Sequence, residues 1–213
     1  WTGFWDSLFT APSATCVTGL VMVDTYVHWN LFGQLVILTM IQIGGLGFMT
    51  VGVLFSLVIH RKIGLREGGG LSERVNGIQI GGIVHLVKKI LMGTLIIEGT
   101  GAVLLSIRFC GELGFARGIY YGIFHSISAF CNAGFDLMGY QGEFSSLVNY
   151  SGDWLVNLTI MSLIIIGGIG FLVWDDLTQK KFHFRKYRVH TKIVLITTFI
   201  LVFGGALLFY LFE

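Results

Sequence analysis

Charge is what this chain has least of. Only 12% of its 213 residues are Asp, Glu, Lys or Arg, where a soluble globular domain carries roughly 25%. Half the usual charge does not coat a soluble surface, and a disordered chain needs high charge with low apolarity. Both classes are excluded. A formal net charge of +2 is also too small for a nucleic-acid-binding surface. Proline is nearly missing, with one residue (Pro12) against 30 glycines, and glycine never recurs every third position, so collagen-like and proline-rich classes drop out. The cysteines are Cys16, Cys110 and Cys131. They form no CxxC pair and no His/Cys cluster at zinc spacing, which leaves a metal centre without support. An initiating Met and a signal peptide are absent too. The chain opens on Trp1-Thr2-Gly3-Phe4-Trp5, as expected of a piece of a longer polypeptide.

Apolar residues fill the space that charge leaves. They make up 54% of the chain, and the mean hydropathy is +0.78. The expected class is all-α integral membrane. A bilayer core of about 30 Å takes roughly 20 helical residues at about 1.5 Å each. Four stretches suit that length: Leu31–Ile59, Ile90–Ile107, Leu155–Trp174 and Ile193–Phe212. The second carries one charge, Glu98, and is expected to begin earlier, near Ile78. Two further uncharged stretches, Ser7–Val23 and Gly118–Phe135, are rich in small and hydroxyl residues, and each ends in a Gly followed shortly by an Asp.

The placement of basic residues decides what Gly118–Phe135 does. Arg61, Lys62, Arg66 and Arg74 come after the first span, and Lys180, Lys181, Arg185, Lys186, Arg188 and Lys192 lie between the third and fourth. The segment Asp136–Asp153 holds none. If Gly118–Phe135 crossed the membrane, the two basic loops would fall on opposite sides, against the positive-inside tendency. Entering and leaving on the same side makes both basic loops cytoplasmic and Asp136–Asp153 external. The expectation is a re-entrant loop dipping in from outside, which is tolerated only where it is buried in protein or lines a cavity. The alternative, an amphipathic helix lying on the membrane surface, is weakened by apolar residues around most of the helix circumference.

The chain also repeats itself. Phe9-Thr10-Ala11-Pro12-Ser13-Ala14-Thr15-Cys16-Val17-Thr18-Gly19-Leu20 aligns with Phe124-His125-Ser126-Ile127-Ser128-Ala129-Phe130-Cys131-Asn132-Ala133-Gly134-Phe135 at a constant offset of 115. Ile41-Gln42-Ile43-Gly44-Gly45-Leu46-Gly47-Phe48 matches Ile164-Ile165-Ile166-Gly167-Gly168-Ile169-Gly170-Phe171 at an offset of 123. The unit is span, re-entrant loop, span. Residues 1–74 hold the loop and second span of unit one, 75–185 all of unit two, and 186–213 the first span of unit three.

A half-helix entering from outside aims its C-terminal, partially negative end at the membrane interior, which favours cations. The segments just beyond these helix ends carry no charged side chain. Their ligands are backbone carbonyls of Val17, Thr18, Gly19 and Leu20 in one unit and of Asn132, Ala133, Gly134 and Phe135 in the other, with the Thr18 hydroxyl and Asn132 amide in reach. Carbonyl rings of this kind replace the hydration shell of a monovalent cation, whereas a divalent site normally includes carboxylates. Asp24 and Asp136 lie a little further along, suited to attract cations at the mouth. Plain helix termination by glycine is the simpler reading of either loop alone, and the matched pair argues against it.

Ser13-Ala14-Thr15-Cys16-Val17-Thr18-Gly19-Leu20-Val21-Met22-Val23-Asp24-Thr25, Phe130-Cys131-Asn132-Ala133-Gly134-Phe135-Asp136 and Gly44-Gly45-Leu46-Gly47-Phe48 resemble the ion-translocating subunit of bacterial Ktr/Trk potassium-uptake systems, closer to the Ktr branch. The resemblance covers essentially the whole chain. It implies four span–loop–span units around one pore, each loop giving one filter glycine, with Gly19 and Gly134 the first two. It also implies potassium transport in the cell membrane, a homodimer and a cytosolic nucleotide-binding regulatory ring. The chain departs from that pattern by stopping after the first span of unit three, so it corresponds to about half of a pore.

Several residues admit two readings. Glu98, inside an apolar span, is expected to face protein or water, either as a hydrogen-bonded structural carboxyl or as a support behind the filter. The glycines of residues 44–47 and 167–170 suit close helix packing or hinges. His125 reads as structural, and Cys16 and Cys131 as small apolar residues rather than a redox pair. The basic character of Lys180–Arg188 is accounted for by topology, and by resemblance the stretch suits a regulatory partner. K⁺ is the expected cargo, with no covalently bound cofactor. A less selective Na⁺/K⁺ pathway is the runner-up, and a membrane-embedded enzyme would need acid pairs or metal ligands that the spans lack.

Overall fold

The computed structural model describes residues 2–64, 72–180 and 183–212, with residues 48–64 and 72–86 described by backbone alone. The basic stretch after the first span, including Arg66, therefore lies outside the described residues or side chains, as does Lys181. Among the described residues all regular structure is helical: α1 (Phe4–Thr15), α2 (Thr25–His28), α3 (Leu31–Gly64), α4 (Ser72–Leu113), α5 (Phe115–Phe130), α6 (Trp154–Gly168), α7 (Phe171–Lys180) and α8 (Val189–Phe212), with 3₁₀ turns at Met138–Tyr140, Val148–Tyr150 and Phe184–Lys186.

Val87–Leu113 within α4 and all of α8 are long and apolar enough to cross a bilayer. Leu31–Gly47, the part of α3 whose side chains are described, is apolar as well, and the α3 backbone continues to Gly64. The third expected span, Leu155–Trp174, is not one straight helix. It breaks between α6 and α7, whose axes diverge by 97°. Gly170 at the break adopts φ +85°, a left-handed conformation open to glycine at little cost. Trp174 folds back across the gap and donates its indole N–H to the Ile166 carbonyl at 2.9 Å, replacing a backbone bond that the break forfeits.

Small residues set the packing, as they must where lipid offers no hydrophobic drive between helices. Gly114 (φ +79°) turns α4 into α5. A Cβ on Gly118 would lie 2.5 Å from Cys110, and one on Gly122 2.2 Å from the Ser106 hydroxyl, so the two helices run in near-backbone contact. Ser126 of α5 donates to the Glu98 carbonyl of α4 at 2.7 Å. Phe109, Phe124 and Leu105 are buried at this seam.

The segment after α5 is fastened to the top of α4 by a polar network. Arg108 donates to Asp153 and, at 2.6 Å, to Glu112, and the Tyr150 hydroxyl donates to the other Glu112 oxygen at 2.6 Å. Asp153 also caps α6 through the Leu155 and Val156 N–H groups. Burial works to raise the Asp153 carboxyl, but Arg108 and these two amides outweigh it and hold the group below the usual carboxylate range. At the other end of the bundle Asp176, buried, pairs with Lys180 at 2.8 Å and accepts the Arg188 N–H at 2.8 Å, joining α7 to the start of α8.

Candidate ion-filter site

α1 and α5 end in the same way. In α1 the Val17 N–H donates to the Ala14 carbonyl (3.3 Å) and the Thr18 N–H to the Ser13 carbonyl (3.0 Å); in α5 the Asn132 N–H donates to Ala129 (3.1 Å) and the Ala133 N–H to Ser128 (2.8 Å). This paired closure with a left-handed residue after the cap is the Schellman motif. The left-handed positions are Val17 at φ +50° and Asn132 at φ +60°. Asn tolerates that conformation, whereas a β-branched residue there is an outlier, and Val17 is held in it by the two bonds that flank it. Each chain then takes a second left-handed step two residues later, at Gly19 and Gly134, both φ +73°.

The two ends meet. A Cβ on Gly134 would lie 3.4 Å from Gly19 Cα, and one on Gly19 would lie 2.7 Å from the Ala133 carbonyl oxygen. Beside Gly134 a cavity of about 270 Å³ is lined by His125, Ser128, Asn132, Phe135, Asp136 and Ser146 among others.

The second span of each block presses a glycine onto the end of a short helix. A Cβ on Gly44 would fall 1.9 Å from the Thr15 carbonyl oxygen, and one on Gly167 1.9 Å from that of Phe130. Gly45 lies against Cys131, its Cβ position 2.6 Å from Sγ. Close packing thus accounts for Gly44, Gly45 and Gly167, and the break in α6–α7 for Gly170. Cys16 and Cys131 are free thiols, exposed and buried respectively.

The charged residues sit less simply than the pattern suggests. Asp24 is 9% exposed; its Oδ1 accepts the Tyr26 and Val27 N–H groups at 2.8 and 2.9 Å, and its Oδ2 accepts the Phe144 N–H at 2.8 Å. It caps α2 and ties residues 24–28 to the 3₁₀ turn region after α5. Asp136 is half-buried and accepts the Met138 N–H at 2.9 Å. Glu98, buried on α4, accepts from Gln42 Nε2 of α3 at 3.1 Å to each carboxylate oxygen. His125 is fully enclosed: its Nδ1 faces the Tyr121 carbonyl at 2.7 Å, and Leu137 N–H donates to Nε2 at 3.2 Å, so Nδ1 carries the proton. It fastens the segment after Gly134 to its own helix, and its counterpart Thr10 donates only to the Asp6 carbonyl of its own helix.

Reading the sequence alone passed over three residues. Gln42 holds Glu98, and Ser13 and Ser128 contact the segments around the glycines. All three lie inside the aligned blocks, where hydroxyl and amide groups in apolar helices were the available signal.

The chain matches the model of a family described as cation transport protein, TrkH, over residues 2–213. It is 43% identical over 213 residues to the Potassium/sodium uptake protein NtpJ of Enterococcus hirae, covering 100% of this chain and 46% of that protein. It is 45% identical over 196 residues to Ktr system potassium uptake protein B of Bacillus subtilis, covering 92% and 43%, and 41% identical over 211 residues to the protein of that name in Vibrio alginolyticus, covering 98% and 45%. The chain spans about half the length of these relatives. With a helical bundle of membrane-length apolar segments and a match along nearly its whole length, the chain belongs to the TrkH family of cation transport proteins.

Proposed function

We propose that this chain supplies two of the loops of a potassium-uptake pore in the cell membrane. Residues 1–74, 75–185 and 186–213 are the closing part of one span–loop–span unit, a complete second unit and the opening span of a third. The segments Val17–Leu20 and Asn132–Phe135 line the ion path with backbone oxygens, and K⁺ is cargo rather than a resident cofactor. Asp136 stands at the mouth, while Asp24, its carboxylate engaged by three N–H groups, adds negative charge from behind the loop. Glu98 and Gln42 brace the helices behind the second loop. The loop Asp136–Asp153 is external, and Arg61–Arg74 and Lys180–Lys192 are cytoplasmic.

The observation that carries this reading is the face-to-face approach of Gly19 and Gly134, each at φ +73° after the same helix ending. Two uncharged, glycine-bearing turns brought together in an apolar bundle suit a dehydrated monovalent cation. The potassium in the names of all three relatives favours K⁺, and the sodium in one of them favours, as a second reading, a pathway shared by Na⁺. The word "system" in the Ktr names supports partner subunits. By the family resemblance these are a second copy and a cytosolic nucleotide-binding regulator.

The test uses the full-length protein in a potassium-requiring strain. Gly134→Ser is expected to lose K⁺ affinity or K⁺ preference over Na⁺ while still reaching the membrane. Unchanged uptake and unchanged Na⁺ competition at normal expression overturns the proposal, and K⁺ uptake that Na⁺ suppresses equally in the unmutated protein selects the second reading.

A further inference from the structure

Ser13 and Ser128 occupy equivalent places in the two loops and make the same pair of contacts. Each is almost sealed, 4% and 3% exposed. Through its backbone carbonyl each receives the N–H five residues on, Thr18 at 3.0 Å and Ala133 at 2.8 Å. Through its hydroxyl each donates to the carbonyl seven residues on, Leu20 at 2.6 Å and Phe135 at 2.6 Å. Three residues lie between these two anchored peptides, Thr18-Gly19-Leu20 and Ala133-Gly134-Phe135, and the left-handed glycine is the middle one of each. One serine therefore holds both ends of the three-residue segment centred on each glycine, and leaves the two peptides next to the glycine itself unanchored by its own bonds.

A serine hydroxyl has a single proton. At 2.6 Å that proton is committed to the carbonyl, so the Thr18 hydroxyl, 2.9 Å from Ser13 Oγ, is the donor of that second contact. Ala133 stands where Thr18 stands in the first loop, and Ser128 works without such help. A carbonyl drawn this closely toward its own helix has its direction fixed and one lone pair taken. It is turned toward the protein and no longer free to track an ion.

We infer that Ser13 and Ser128 are positioning residues of the ion filter: by pinning both ends of the segments Thr18–Leu20 and Ala133–Phe135 they limit how far the two glycines between can turn, and they withdraw the Leu20 and Phe135 carbonyls from the ring of ion ligands, which ends at Gly19 and Gly134. This rests on the reading of these segments as an ion filter. It goes beyond that reading by dividing the four carbonyls of each segment into ligands and anchored supports.

The test compares Ser13→Ala, Ser128→Ala, Ser13→Thr and Ser128→Thr in the full-length transporter, with Gly134→Ser beside them. K⁺ uptake is measured for KM, maximal rate and inhibition by Na⁺, together with the amount of protein in the membrane. Losing the hydrogen bond that pins the far end of a glycine segment is expected to raise the KM for K⁺ about 3- to 10-fold and to let Na⁺ compete better. Thr, which keeps the hydroxyl, restores both. A merely structural serine would lower the amount of protein and the maximal rate and leave KM and Na⁺ competition alone, and that result overturns the inference. If Gly134→Ser alters ion preference and the serine variants do not, the positioning role falls and the filter stands. If neither alters it, both fall.

Discussion

The two glycines differ in surroundings although they share a backbone conformation, and alanine at each separates the effects. An L-residue in the left-handed region costs about 1–2 kcal/mol, and both positions sit at φ +73°. At Gly134 the added methyl meets only Gly19 Cα at 3.4 Å, an ordinary contact, so the conformational cost stands alone. At Gly19 the methyl would lie 2.7 Å from the Ala133 carbonyl oxygen. That carbonyl has little room to retreat, because the chain is held on both sides of it, the Ala133 N–H by the Ser128 carbonyl at 2.8 Å and the Phe135 carbonyl by the Ser128 hydroxyl at 2.6 Å. Overpacking of this kind adds about 1–3 kcal/mol. Gly19→Ala is therefore expected to weaken K⁺ uptake roughly tenfold more than Gly134→Ala, at about 1.4 kcal/mol per factor of ten. The assay is the KM for K⁺ and the Na⁺ inhibition constant in cells expressing full-length variants at matched membrane levels. Equal effects, or a heavier effect at Gly134, would refute the geometric argument.

Substitutions outside the two loops probe the packing, the Asp24 clamp and the topology. Gly44→Ala and Gly167→Ala each place a methyl 1.9 Å from a helix-end carbonyl, so both are expected to lower the amount of assembled protein and its Tm sharply, whereas Gly47→Ala, with open space around it, leaves both unchanged; matching results for all three would dismiss the packing role. Asp24→Asn keeps an acceptor for Tyr26 and Val27 but turns an amide N–H toward the Phe144 N–H, and is expected to cost about 1–3 kcal/mol, read as a drop in Tm; an unaltered melting curve would show that the clamp contributes nothing. In a background without Cys16, Glu143→Cys is expected to react with a membrane-impermeant thiol reagent from outside and Lys186→Cys to be protected, and the reverse pattern would invert the proposed topology.

The helical class was readable from composition, because low charge and a high apolar share leave few other solutions. The serines with matched bonds, the left-handed positions and the closely packed glycines all lie in the two aligned pairs of blocks, although nothing in the sequence singled out Ser13 and Ser128 within them. Other features depend on partners far along the chain. Asp24 looks like a free acid beside a loop until Phe144, 120 residues away, is seen donating to it. The break between α6 and α7 was hidden because an uncharged apolar run has no periodicity that separates a straight helix from a bent one. The residues Gly44-Gly45-Leu46-Gly47 continue in one helix to Gly64, while the matching Gly167-Gly168-Ile169-Gly170 interrupts its helix. Local propensity is nearly equal in the two, so tertiary packing, including the Trp174 contact with Phe130 at 5.6 Å, accompanies the difference.

The Schellman closure of α1 and α5 has a consequence for how a cation would be handled. At the end of each helix the carbonyls of Ser13 and Ala14, or of Ser128 and Ala129, are already accepting N–H groups, and those of Thr15 and Phe130 are covered by glycines of the neighbouring spans. Few helix-end oxygens are left to touch an ion. The helix then acts through its field alone, across water or protein, and such a field draws Na⁺ and K⁺ to the same degree because they carry the same charge. If these segments form the proposed filter, attraction and discrimination fall to different atoms, the first to the helix and the second to the few peptides beyond it. A change in helix charge, as in Asp6→Ala at its first turn, would then alter how fast cations arrive while leaving untouched the ratio in which they pass.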